Sequence, residues 1–212
     1  MQEKKEVIIL TKSRKNHNYC VAGVEKSTGK WIRLVSNEYG RGIDKEIMDG
    51  NSINSLDTVI VEGEAKPLSH QPENFCIYKI AKTGTVELED VLKIHPVDIS
   101  EDIFLNKLAT FNPQNADKLR NSLMLVKATN FTVKHESLLR YDKNGFPYRK
   151  DRVLASFRYN GNSYYDFYVT DEEFCEMQIP YLIETYLVIS IPDSEFYDNK
   201  YYKFIAKIFL LY

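Results

Sequence analysis

The chain is short of the residues that staple a fold or load it with metal. It has 3 cysteines, Cys20, Cys76 and Cys175, far apart and with no C-x-x-C pair. That excludes a disulfide framework and a cysteine-rich zinc site. The 4 histidines, His17, His70, His95 and His135, are scattered as well. His17 and Cys20 have H-x-x-C spacing, but two ligands do not make a zinc site. A P-loop, a dinucleotide fingerprint, H-E-x-x-H and G-x-S-x-G are all missing. No basic segment followed by a long apolar one opens the chain, and the apolar run Ile208-Phe-Leu-Leu-Tyr212 is too short to cross a bilayer. The carboxylates at Asp171-Glu-Glu173 suit the first turn of a helix, where the dipole favours them. Cys20 suits a small residue on the core face of a strand. These absences point to a cytoplasmic, non-catalytic protein with reduced thiols, no cofactor, no metal and no membrane segment.

What is present is tyrosine, 15 of them, in a chain that is 43% hydrophobic and 27% charged. That is a globular composition, and tyrosine leans it toward strands. The net charge of −2 hides a strong asymmetry. Gln2 to Arg33 carries eight Lys and Arg against three acids, and Lys134 to Asn160 carries seven against three. Gly161 to Asn199 carries nine acids and no Lys or Arg. Local sign, more than the total, steers a polyanion.

Hydrophobic alternation and turn residues predict strands over Val7–Thr11, Tyr19–Glu25, Lys30–Val35, Thr58–Glu64 and Phe75–Ile80, with a short helix at Asp44–Met48. A helical connector follows from Lys82 to Asn121, with Ser100 as a cap before Glu101. The pattern then repeats. Strands are expected over Leu123–Val133, Arg152–Tyr159, Ser163–Val169, Thr185–Ile191 and Tyr202–Leu211. Asn160-Gly161 marks a hairpin, and a helix starts at Thr170 or Asp171. Five strands with the helix between the third and fourth is the order of an OB fold, a small Greek-key barrel. The reading is mainly β: residues 1–81 form a first barrel, 82–121 a connector and 122–212 a second barrel.

In an OB fold the loop between strands one and two, with the face of strands two and three, binds oligonucleotides or oligosaccharides. In the first barrel that loop is Lys12-Ser-Arg-Lys-Asn-His-Asn-Tyr19; in the second it is Lys134 to Lys150. Both are basic, as phosphate requires. If Cys20, Ala22 and Val24 face the core, then Tyr19, Trp31 and Arg33 point outward as a stacking platform beside a guanidinium. Lys12, Arg14 and Lys15 would neutralise phosphates, and His17 and Tyr19 would add hydrogen bonds or stacking. In the second barrel Tyr148, Arg149, Arg152 and Arg158 are the corresponding candidates, with Asp166 opposing them.

Ser13-Arg-Lys15, Cys20-Val-Ala-Gly-Val24, Thr28-Gly-Lys-Trp-Ile-Arg33 with Val35 and Ser36, and the closing Tyr202-Lys-Phe-Ile-Ala-Lys-Ile208 resemble the signature of the dual OB-containing domain family. Leu34 stands where many members have proline. The resemblance spans nearly the whole chain. It implies two OB folds in a bacterial protein that binds nucleic acid or nucleotide, and it brings no catalytic residues. The functional expectation is therefore a non-catalytic module binding single-stranded RNA, DNA or a nucleotide. The alternatives are a protein-interaction or assembly module and a sensor of a small phosphorylated ligand.

Overall fold

The computed structural model describes residues 2–15, 18–192 and 199–211. The first half builds β1 (Glu3–Lys15), β2 (Asn18–Glu25), β3 (Trp31–Val35), β4 (Ile43–Asp44), α1 (Lys45–Gly50), β5 (Asp57–Ala65) and β6 (Asn74–Thr85). β1 pairs with both β2 and β5, β5 with β6, β6 with β3, and β3 with β2, so the ladder closes on itself. Only the β3–β6 pairing in that ring is parallel. This is the OB barrel, with α1 between its third and fourth long strands. β1 kinks at a bulge between Ile9 and Thr11, which lets one strand serve two neighbours. Its interior is aliphatic: Val7, Ile9, Val21, Ile32, Leu34, Val59 and Val61 are all buried together.

The link contains α2 (Leu88–Ile94), a single 3₁₀ turn at Ile103–Leu105, the short β7 (Thr110–Phe111) and a second 3₁₀ turn at Pro113–Lys118. It is less helical than its sequence suggests, and β6 runs on to Thr85, so Lys82 to Thr85 are strand. Ser100 caps no helix; its hydroxyl donates to the Asp102 carbonyl. A regular helix cannot propagate here because Phe104 and Leu105 take positive φ, 45° and 73°.

The second half builds β8 (Leu123–Tyr141), β9 (Pro147–Tyr159), β10 (Asn162–Val169), α3 (Glu172–Met177), β11 (Tyr181–Ser190), β12 (Tyr201–Tyr202) and β13 (Phe204–Leu210). β10, β13, β11, β8 and β9 form a closed barrel with β10 and β13 parallel, which repeats the first topology. Asp171 caps α3 by accepting from the Phe174 amide. The interior here is aromatic. Phe157 stacks on Tyr164 at 5.4 Å, and Phe131 meets Phe174 edge-on at 5.8 Å. The tyrosine hydroxyls at its mouth are used. Tyr159 donates to the carbonyls of Asp98 and Ser100, and Tyr164 to the Asp102 carboxylate, tying the link to the barrel.

The barrels meet over a third cluster of buried side chains. Ile8, Leu10, Ala22, Val24 and Trp31 of the first pack with Leu123, Leu125, Val188 and Phe209 of the second, and Leu88 and Val91 of α2 close the seam. At its polar end the Arg33 guanidinium donates to Ser122 Oγ at 2.7 Å, Ser190 Oγ at 3.2 Å and the Ile191 carbonyl at 3.3 Å. Glu73 lies 3.5 Å from Arg33 Nε and accepts from the Ser122 amide and hydroxyl. One cation thus pins the third strand of one barrel to the first and fourth of the other.

Candidate nucleic-acid interface

The first barrel corrects the expected platform. Val21 and Gly23 face Leu34 and Ile32 across the ladder, while Ala22 and Val24 face Arg33 and Trp31. The set containing Val21 and Tyr19 therefore lines the interior, and the set containing Ala22 and Val24 lies outside with Trp31 and Arg33. Tyr19 is 7% exposed, Trp31 7% and Arg33 5%, so none presents an open face to a polymer. The physical reason is that Tyr19 lies inside the first barrel, while the second barrel covers the outer face at Trp31 and Arg33. Lys12 is also engaged: its ammonium donates to the Ile53 carbonyl at 2.9 Å and sits 4.9 Å from the Tyr19 ring centre. The stretch from Lys12 is strand rather than loop, since Arg14 pairs with Tyr19 and Lys15 with Asn18. The side chains of Arg14 and Lys15, and the whole of His17, lie outside the described residues.

In the second barrel the equivalent link is again a ladder. The segment from Lys134 to Lys150, expected as a loop, is the outer part of the β8–β9 hairpin, paired in register from Lys134↔Leu154 to Tyr141↔Pro147. β11 leaves β8 after Thr132, so beyond that point the two strands stand alone as a ribbon. At about 3.3 Å per residue it projects roughly 25 Å. Its tip is a tight turn in which Gly145 takes φ 83°, and the Asp142 carboxylate accepts from the amides of Asn144 and Phe146 at 2.8 and 2.9 Å.

Opposed residues in an antiparallel pair share a face. One face of the ribbon therefore carries Arg140 with Tyr148, Leu138 with Lys150 and Glu136 with Arg152; the other carries Leu139 with Arg149 and Tyr141 with Pro147. Tyr148 and Arg149, neighbours in sequence, point to opposite sides. Every residue from Leu139 to Asp151 is exposed. Among the described residues Arg140, Lys143 and Lys150 make no ion pair, and Arg149 has only a 3.5 Å contact with Ser137 Oγ. Arg152 is more committed. It forms an ion pair with Glu136 at 2.6 Å, donates to the Tyr168 hydroxyl at 2.7 Å and lies 5.5 Å from that ring centre. Lys134 and then Arg152 hold the Glu136 carboxyl below its usual range, so the charge at this base of the ribbon is compensated in part.

Arg152, Leu154, Ser156 and Arg158 alternate with the interior residues Ala155, Phe157 and Tyr159, so they lie on the outer face of the barrel. Tyr168 joins them there, 5.8 Å from Tyr202 and 6.0 Å from Phe204. Tyr168 of strand three thus joins Tyr202 of β12 and Phe204 of the closing strand in an aromatic cluster, with the Arg152 guanidinium of strand two over it. It continues, through Arg152, onto the cationic ribbon. Arg158 is exposed at the far end and donates to the Gly161 carbonyl. Asp166 sits on a bulge with φ 59°, displaced from the regular ladder.

Sequence reasoning missed Arg140 and Lys150 as partners of Tyr148. The signal was there: Asn144-Gly145 is a strong short-range hairpin marker, and it fixes which residues oppose each other. No group of three or more His, Cys, Asp or Glu among the described residues is placed to hold a metal ion, and no described helix is long and apolar enough to cross a membrane.

The family model for the dual OB-containing domain matches residues 5–208, and the chain belongs to that family. No curated protein and no solved structure matches it significantly. OB folds are in general binding folds, used for nucleic acids, oligosaccharides or proteins.

Proposed function

We propose that the protein binds single-stranded nucleic acid on its second barrel, without catalysis. The observation that carries this reading is the Arg152–Tyr168–Tyr202–Phe204 surface running onto an exposed, cation-rich ribbon. Stacking on aromatic rings contributes about 1–3 kcal/mol per base and tolerates any sequence. Arg140, Arg149 and Lys150 supply phosphate contacts, Arg140 and Lys150 beside Tyr148 and Arg149 from the other side of the ribbon. Arg14, Lys15 and His17 of the first hairpin are proposed as further contacts. Lys12, Tyr19, Trp31 and Arg33 act in this reading as framework. A bacterial cytoplasm is the proposed setting, in keeping with three cysteines in no disulfide.

Fluorescence anisotropy of labelled RNA and DNA oligomers tests it, with wild type, Arg149→Ala/Lys150→Ala and Tyr148→Ala at several salt concentrations. Each phosphate neutralised on a single strand contributes about 0.7 to the slope of log K against log salt. The double variant should weaken binding and flatten that slope by about 1.4, the share of two phosphates. Tyr148→Ala should weaken binding without changing the slope. Equal binding by all three proteins would remove the ribbon from the reading. A salt-insensitive complex with another protein, seated on the exposed Leu139 and Phe146, would favour an assembly module instead.

A further inference from the structure

A concavity lies where the first barrel meets the two ends of the link, and no ribbon residue lines it. It has a volume of about 420 Å³, within the range of small-ligand sites. The turn before β3 contributes Lys30 and Trp31, the end of α2 contributes His95, and the approach to β8 contributes Arg120 and Asn121. Trp31 and His95 meet edge-on with ring centres 4.6 Å apart.

Three features define what this cavity accepts. The first is charge. Lys30 and Arg120 are exposed, and neither makes an ion pair among the described residues. Among those residues Glu73 is the one carboxylate in the lining, and it is turned into the seam and occupied by Ser122 and Arg33. The rim is therefore cationic. The second is an unused acceptor. His95 Nδ1 lies 2.7 Å from the Gly29 carbonyl oxygen, which can only accept, so Nδ1 carries the proton. In the neutral ring Nε2 is then a bare acceptor, and it is buried with no hydrogen-bond partner among the described residues. A buried polar atom left without a partner is costly, and a ligand N–H would relieve it. The third is the pair of rings itself, which suits a flat heterocycle.

We propose that this cavity binds a nucleoside monophosphate, its base against Trp31 and His95 with a base N–H on His95 Nε2, and its phosphate met by Lys30 and Arg120. The ligand would bridge the first barrel and the two ends of the link, beside the point where the second barrel docks. This site is independent of the polymer surface proposed above.

Trp31 is the chain's 1 tryptophan, so its emission reports on this cavity alone. The full chain is titrated with AMP, GMP, CMP and UMP, exciting at the red edge of the indole band where the bases do not absorb. Ribose 5-phosphate and inorganic phosphate serve as controls. The expected result is a saturable change with the nucleotides, an affinity about tenfold weaker in Lys30→Ala/Arg120→Ala, equivalent to about 1.4 kcal/mol, and no effect of Arg149→Ala/Lys150→Ala. Both Lys30 and Arg120 are surface residues, and circular dichroism of the double variant confirms its fold. No saturable response, an unchanged affinity in Lys30→Ala/Arg120→Ala, or equal affinity for ribose 5-phosphate would each overturn the proposal.

Discussion

Replacing Arg33 by Met removes the cation at the seam while keeping its reach. Glu73, whose side chain is 3% exposed, then keeps its charge inside the seam without a counter-ion. Ser190 Oγ and the Ile191 carbonyl lose the donor they share. Breaking a buried pair from one side costs about 3–5 kcal/mol, because the orphaned charge stays desolvated. That is a large share of a typical folding free energy of about 5–15 kcal/mol. Glu73→Gln removes the stranded charge and can still accept from Ser122. The pair Arg33→Met/Glu73→Gln should therefore cost less than the sum of the two single changes, by about 0.5–3 kcal/mol. Urea unfolding followed by circular dichroism measures all four proteins. Because Arg33 joins both barrels, wild type should unfold in one transition, and Arg33→Met should split it in two. A loss below about 1 kcal/mol for Arg33→Met, or strict additivity in the cycle, would refute the argument.

Lys203 is wholly buried, and its ammonium donates to the carbonyls of Ile103 and Asn106 and to Asn106 Oδ1, bracing the positive-φ turn. Burial pushes its pKa down from 10.5 to about 7, with Asp102 opposing the shift in part. The unfolded chain holds that proton across this interval and the folded chain does not, so stability should rise with pH between them. Relative to Lys203→Met the gain should approach about 1.4 kcal/mol per pH unit, and parallel stability curves for the two proteins would dismiss it. Asp142→Ala strips the turn that closes the ribbon. Amides of Asn144 and Phe146 should exchange with solvent faster, while the midpoint of barrel unfolding stays within about 0.5 kcal/mol, since the site is a surface turn; hydrogen exchange by mass spectrometry reads both.

The order of strands and the place of α1 and α3 were legible because each barrel strand carries an apolar core face and each break carries turn residues. The orientation of β2 and β3 was not. Both of their faces are buried, one in the barrel and one in the seam, so alternation carries no information there. Small residues at Ala22 and Val24 mark a face that another barrel approaches, and they read equally well as interior. The ribbon failed for the opposite reason. With no buried face it has no hydrophobic period, and its charges read as loop. Arg152 and Arg158 were visible as outward residues because the neighbouring Phe157 and Tyr159 are unambiguously interior. Lys203 gives no signal at all: a lysine beside Phe204 and Ile205 looks like the rim of a strand, and only the fold of the link around it makes it interior.

The covering of the first barrel's outer face makes the two copies of one topology unequal. What the second barrel can hold out to a guest, the first has given over to its sibling. On the proposed reading of the polymer surface, the first becomes chiefly the handle and the second the tool. Substitutions along β2 and β3 should then change how the tool is aimed, and substitutions along β9 and β10 should change what it grips. The halves are not interchangeable, even though a diagram of their strands cannot tell them apart.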